Sequence, residues 1–256
     1  MAESSTGLDI QPGPKLASGR DADVFELGDG RVLRRNRQTT KSSEYEADVM
    51  RFVREWGYPV PAVYEVSGPD LVMDRVDGPT MLKDLGARPW MLWRHARTLG
   101  KLHRQLHGIP APDWMPTYAS HPAFAEAPPE STGSEAGPVI PDAILHLDLH
   151  PDNVILSSSG PVVIDWRNTR RGDGAIDVAT TWLIMATSEV PDASLRWRVI
   201  NRVRRLFVAT LLRQVDRAAA ERQLPLAARY RLADRNVLAS ERAAIRAMIS
   251  RAGGSL

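Results

Sequence analysis

The stretch HLDLHPDNVIL, residues 146–156, places His146, Asp148, His150, Asp152 and Asn153 within eight residues and then enters an apolar run. Three chemistries use residues of these types. A metal nest would need further histidines at fixed spacing, and the others in the chain are His95, His103, His107 and His121. His103 and His107 lie four apart, the spacing of a zinc-binding helix, but the stretch HRQLH lacks the glutamate that follows the first histidine in such helices. For this pair the expectation is packing, one ring near the 146–150 loop and the other facing solvent. A serine hydrolase is excluded by the absence of Gly-x-Ser-x-Gly.

Phosphoryl transfer fits better. His146, Asp148 and Asn153 match His-x-Asp-x-x-x-x-Asn, and the apolar run VVID ends on a further acid, Asp165. The spacing has a physical reason. A short loop holds one carboxylate beside an acceptor hydroxyl, while a neutral amide oxygen turns toward a metal on the phosphates. In this reading Asp148 accepts the hydroxyl proton, and Asn153 and Asp165 hold Mg²⁺ on the phosphate oxygens. Each residue alone is an ordinary loop residue; the spacing together with Asp165 carries the argument.

The flanking segments must position these groups. VFEL (24–27), the turn GDG (28–30) and RVLRR (31–35) read as a β-hairpin. Residues 42–56 have helical spacing, with Tyr45, Val49, Phe52, Val53 and Trp56 on one side and Ser42 or Ser43 as cap. GYPVPAVYEV and DLVMDRVDG read as strands, so residues 1–77 form a small β-rich lobe with one inserted helix. From 78 to 256 the chain turns mainly helical. Residues 89–109 carry an apolar stripe of Leu92, Ala96, Leu99, Leu102 and Leu106. Residues 108–142 read as a long loop or short helices. VIL (154–156) and VVID (162–165) form two short strands, and three or so helices follow residue 175.

Composition bounds the classes. The chain has 256 residues, 43% hydrophobic and 25% charged, enough for two lobes and a proper core. Absence of cysteine removes disulfides and thiolate chemistry. The N-terminus lacks the basic start and apolar core of a signal peptide, and no apolar run approaches membrane-span length, so a cytoplasmic location without membrane partners is expected. From residue 186 onward there are fourteen arginines against six acids. Without a recognition fold or interleaved aromatics, nucleic acid is not the expected partner.

HLDLHPDNVIL followed by VVIDW resembles the aminoglycoside phosphotransferase and choline kinase-like family of the protein kinase-like fold. The resemblance extends through ADVFELGDGRVLRR, GYPVPAVYEV, LVMDRVDGPTM, LGKLH and RGDGAIDVATTWL. It implies an α+β, bilobal structure with ATP, or GTP, in the cleft. It also implies that Arg34 contacts phosphates and pairs with Glu46, Glu44 being the alternative, while Val32 faces the adenine. The backbone of Asp74 and Val76 would pair with the adenine edge, and the loop with Ser18 and Gly19 would cover the phosphates. Asp177 would brace the catalytic loop. Three departures stand out: one glycine in ASGRDADVF, Leu147 in place of the usual glycine, and Arg167 where protein kinases have glycine.

No Ala-Pro-Glu segment follows Asp165, so a small hydroxyl compound is the expected acceptor rather than a protein. The arginine-rich C-terminal part argues mildly against polycationic aminoglycosides, which call for clustered carboxylates. The alternative function is a catalytically inactive, kinase-like nucleotide-binding protein. Nothing in the sequence points to an oligomeric state.

Overall fold

The computed structural model describes residues 8–19, 21–121, 142–187, 195–234 and 237–251. The chain divides into two compact units, one of residues 1–81 with 152–169, the other of 82–151 with 170–256.

The first unit is built on a five-stranded antiparallel sheet. Its strands are β1 (Lys15–Ser18), β2 (Ala22–Gly28), β3 (Arg31–Asn36), β4 (Val63–Ser67) and β5 (Asp70–Asp74), in the order β1-β2-β3-β5-β4. The β2–β3 turn needs left-handed backbone at three consecutive residues, with φ of 80° at Gly28, 48° at Asp29 and 71° at Gly30. Glycine and aspartate adopt that conformation most readily, which is why GDG makes this hairpin. Val32, Leu33, Leu71 and Val72 are buried in the central strands.

Helix α1 (Glu44–Glu55) buries Glu46, Ala47, Val49, Met50 and Val53. Trp56, expected on that face, is 55% exposed, because it falls at the C-cap, where the helical spacing no longer applies. Ser43 occupies the N-cap position but does not cap the helix. Its hydroxyl instead donates to the Pro69 carbonyl at 3.1 Å and accepts from Asn36 Nδ2 at 2.9 Å. A buried hydroxyl with two tertiary partners is already satisfied, and tertiary pairing has displaced the local cap.

The hairpin of β7 (Val154–Ser157) and β8 (Gly160–Val163) belongs to this unit although it comes from far along the chain. The Leu156 amide donates to the Pro79 carbonyl at 2.9 Å, the Val163 amide to Pro59 at 2.8 Å, and Thr80 bridges Ile155. Trp166, just after the hairpin, is fully buried against the edge of Tyr58, with ring centroids 5.5 Å apart. Strand β8 ends at Val163, so Asp165 lies beyond the strand that the sequence pattern extends through it.

The second unit is mainly helical. It contains α2 (Met81–Ala87), most of which lies here, then α3 (Leu92–His107), α4 (Gly174–Thr187), α5 (Leu195–Leu212), α6 (Arg217–Arg222), α7 (Leu224–Ala233) and α8 (Ala239–Arg251). The expected stripe of α3 is buried from Leu92 to Leu106. Helix α4 is apolar nearly all round and is therefore central: Ala179 and Leu183 pack in one cluster with Leu224, Ala227, Ala228, Val237, Ile245 and Ile249. Short strands β6 (Ala143–Leu145) and β9 (Arg170–Gly172) pair antiparallel. Among the described residues, five helices follow residue 173 rather than three or so. The extra boundaries arise at Asp216, whose side chain caps α6, and at Pro225 in the first turn of α7. Of the expected loop 108–142, residues 122–141 lie outside the described residues. Among the described residues, no helix is long and apolar enough to cross a membrane.

Candidate active site

In the first unit, β3 carries Val32 and Arg34 on one face, two residues apart and both buried. Arg34 stands opposite Val24 and Leu71, and its Nη1 donates to Glu46 Oε2 at 2.7 Å. Glu44 does not compete: its carboxylate accepts from the Ser42 hydroxyl at 2.7 Å. Burial pushes the Glu46 carboxyl up, and Arg34 pulls it back. The second Arg34 nitrogen, Nη2, lies 3.7 Å from Asp165 Oδ1. Asp165 has left-handed backbone, φ 66°, and its side chain is 40% exposed. Left-handed backbone at a non-glycine residue often marks functional positions. Asn153 precedes β7, and its carbonyl accepts the Ile164 amide at 3.1 Å, fixing the two ends of the hairpin together.

The remaining nucleotide candidates are placed as follows. Asp74 ends β5, with its amide donating to Ala62 and its carboxylate accepting from the Ala62 amide and the Tyr64 hydroxyl. Val76 follows in irregular backbone. The Ser18 hydroxyl donates to Asp23 at 2.6 Å and accepts from Arg37, and the Gly19 amide donates to the Ala22 carbonyl at 2.8 Å. Those two groups are engaged in the turn between β1 and β2.

In the second unit, the loop after β6 is held by α4 through two bonds. Asp177 Oδ1 accepts the Leu147 amide at 2.6 Å, and Thr181 donates to the Leu149 carbonyl at 2.8 Å. Leu147 has φ 63°, a conformation in which glycine is unstrained. That explains why glycine is usual there in the family the sequence resembles. Leu147 is fully buried with Tyr118, Leu145, Ile176 and Tyr230, which holds it in place.

Asp148 projects from this loop. Its Oδ1 lies 3.6 Å from His150 Nε2 and 3.9 Å from Arg231 Nη1. Burial opposes ionisation, but His150, His146 and Arg231 outweigh it and hold the carboxyl below its ordinary value. A carboxylate kept ionised near neutral pH and facing no strong acid can take a proton from a hydroxyl.

With this geometry in place, the comparisons decide the family. The sequence model of the phosphotransferase enzyme family matches residues 13–203, well over half of the chain. The chain belongs to that family. Thiamine kinase of Salmonella paratyphi B is 44% identical over 41 residues, a match covering 16% of this chain and 15% of that protein. Among solved structures, aminoglycoside phosphotransferase APH(4)-Ia is 16% identical over 94% of each chain, with a TM-score of 0.64. Amicoumacin kinase hAmiN, in complex with AMP-PNP, Ca²⁺ and Ami, is 14% identical over 98% of this chain and 87% of that one, with a TM-score of 0.51. At such identities the likeness establishes the fold, the α+β kinase-like one that the sequence motifs imply.

The chain also brings to these candidates groups to which the sequence reading gave no role. Arg167 Nη1 donates to Asp21 Oδ2 at 3.0 Å, and its Nη2 lies 3.8 Å from Asp165. The arginine that replaces glycine thus links the loop before β2 to Asp165. Arg231 on α7 binds Glu241 Oε1 at 3.0 Å besides facing Asp148. Nothing in its local sequence separates it from the other arginines of that region; only the tertiary contact does. His150, a member of the motif, lies 3.6 Å from Asp148. Of the pair on α3, His103 is fully buried, and the side chain of His107, expected to face solvent, is only 17% exposed. Both turn toward Asp177, whose buried carboxylate draws them inward.

Proposed function

We propose that this protein transfers the γ-phosphoryl group of ATP to a hydroxyl of a small molecule, with Mg²⁺ bound by Asn153 and Asp165. The observation that carries the reading is Asp148: a carboxylate held ionised by His150 and Arg231, on a loop clamped by α4. The residues suit the metal. An amide oxygen and an exposed carboxylate are hard oxygen donors of the kind Mg²⁺ prefers. When bound, the ion would neutralise charge on the phosphate oxygens.

The chain's own groups then divide the work. Arg34, ordered by Glu46, offers its guanidinium to phosphate oxygens, a fork geometry well matched to them. Val32 lies against the base. Asp148 takes the proton of the acceptor hydroxyl as that oxygen bonds to the γ-phosphorus and the bond to the β-bridging oxygen breaks. ADP leaves with the bond's electron pair. GTP would serve the same chemistry, and the nucleotide is read from which one is consumed.

Names of the similar proteins support a small acceptor. Thiamine, aminoglycosides and amicoumacin are chemically unlike one another, and none is a protein. Near Asp148 the chain presents Arg231 with Asp234 and Glu241, so opposite charges are already paired there. That suits a neutral or zwitterionic acceptor better than a polycation.

The test is Mg²⁺-dependent nucleotide consumption across a panel of hydroxylated small molecules, with the phosphorylated product read by ³¹P NMR. One acceptor class should stimulate turnover, and Asp148→Asn should reduce it by about 10²–10⁴-fold while leaving nucleotide affinity within a few-fold. Turnover by Asp148→Asn equal to wild type would reject the assignment. Nucleotide binding without turnover on any acceptor would favour an inactive, kinase-like binding protein.

A further inference from the structure

Helices α3 and α4 bring together a second group of metal-ligand residues that the phosphotransfer reading does not use. His103 and His107, four apart on α3, face Asp177 of α4. One ligand atom from each of the three lies within 4.8 Å of the others. His103 Nδ1 is 3.3 Å and His107 Nε2 3.0 Å from Asp177 Oδ2, and both His103 and Asp177 are fully buried. Tetrahedral bonds of about 2.0–2.1 Å put neighbouring ligand atoms roughly 3.3 Å apart. The two measured edges are therefore close to those of a zinc-type site.

Thr181 has one hydroxyl hydrogen, and it goes to the Leu149 carbonyl at 2.8 Å. At 3.2 Å from His103 Nε2, the Thr181 oxygen can then only accept, so Nε2 carries the imidazole hydrogen. In the neutral ring that leaves Nδ1 as a bare lone pair. His103 Nδ1 is buried and has no hydrogen-bond partner among the described residues. It faces Asp177 Oδ2 at 3.3 Å, a pairing that a cation held between the two atoms would stabilise.

We propose that His103, His107 and Asp177 form a binding site for a divalent transition-metal ion of the zinc type. Two imidazoles and one carboxylate are a donor set for Zn²⁺, Co²⁺ or Ni²⁺ rather than for Mg²⁺. Binding uses His103 Nδ1, His107 Nε2 and Asp177 Oδ2, with the His107 hydrogen moved to Nδ1. Asp177 Oδ1 stays on the Leu147 amide, so the ion and the loop clamp are compatible. The bound ion would tie α3 to α4 and, through Asp177, to the residue preceding Asp148. This site is independent of the Asn153 and Asp165 donors.

The experiment uses the full chain, stripped with EDTA and titrated with Co²⁺, then with Zn²⁺. The wild type should take up one equivalent with the visible absorption of a nitrogen- and oxygen-ligated tetrahedral ion, displaced by Zn²⁺. His107→Gln, partly exposed and folded by circular dichroism, should bind at least about 100-fold more weakly, since loss of an outer-shell partner alone costs up to that much. Asp165→Ala should bind as wild type does. In the wild type, Zn²⁺ should move the ring ¹⁵N resonances of His103 and His107, a readout that depends on no variant. Absence of binding, undiminished affinity in His107→Gln, loss of affinity in Asp165→Ala, or shifts confined to other histidines would each overturn the proposal.

Discussion

Leu147 sets two local free energies against each other. Left-handed backbone at a non-glycine residue costs about 1–2 kcal/mol, so Leu147→Gly would relieve strain at φ 63°. The same change removes a fully buried leucine side chain from the cluster with Tyr118, Ile176 and Tyr230. Loss of such a side chain costs about 2–5 kcal/mol. Packing wins: Leu147→Gly should lower the unfolding free energy by about 1–3 kcal/mol in urea melts. Equal or greater stability would mean that the buried contacts contribute little. Beside it, Asp148 has its carboxyl held low, so it remains ionised above the ordinary carboxylate range near pH 3.9. The sign follows from linkage. A depressed folded-state value stabilises the protein above the unfolded-state value, and that contribution is lost as pH falls through the folded-state one. Accordingly kcat/KM should show no loss from Asp148 protonation between pH 5 and 8, spans estimated roughly from that reference value. A pH–rate profile tests this. An acid limb near pH 6 that persisted in His150→Gln would show that the carboxylate is not held low.

At the scale of elements, the β7–β8 hairpin depends on one backbone approach. Gly78 has φ 144°, and a Cβ there would stand 2.3 Å from the Leu156 carbonyl oxygen. The Gly78→Ala chain must therefore move away from β7 and weaken the Leu156 amide bond to Pro79. Stability should drop by about 2 kcal/mol or more, and affinity for Mg²⁺-nucleotide should fall with it, because Asn153 and Asp165 flank this hairpin. Unchanged melting and binding in Gly78→Ala would show that the contact is dispensable. The dependence also explains what could be read in advance. Periodicity and turn chemistry disclosed the β2–β3 hairpin, α1, α3 and the β7–β8 strands, because there the local pattern and the tertiary fold agree. Motif spacing alone singled out Asp148, Asn153 and Asp165 as candidates. The β1, β6 and β9 strands carry no apolar run between turn residues of the kind that marks β7 and β8. Arg231 was invisible, and Arg167 stood out only as a departure from pattern, because their contacts are with residues distant in sequence, Asp148 and Asp21. Ser43 misled because its hydroxyl found better partners than the helix end.

For the whole molecule, the division into units separates two sets of groups. Arg34, Glu46, Asn153 and Asp165 all belong to the strand-rich unit, even though two of them come from the far side of α3 in sequence. Asp148, His150 and Arg231 belong to the helical unit. If the former set holds nucleotide and the latter activates the acceptor, ligands should protect the units differently. Binding that favours the native state suppresses local opening in the elements that carry the contacts. Mg²⁺ with a non-hydrolysable ATP analogue should slow amide hydrogen exchange in β3, α1 and the β7–β8 hairpin by about tenfold or more at concentrations well above Kd. Exchange in α7 and α8 should change little until an acceptor is added. The control is Asp165→Ala, in which the protection of β3 and the hairpin should shrink while α7 and α8 behave as in wild type. Protection confined to the helical unit, or independent of Asp165, would place the nucleotide away from Arg34 and leave the buried Arg34–Glu46 pair with a purely structural role. The expected pattern would instead explain why an arginine is buried on β3, where its second nitrogen faces Asp165 at 3.7 Å.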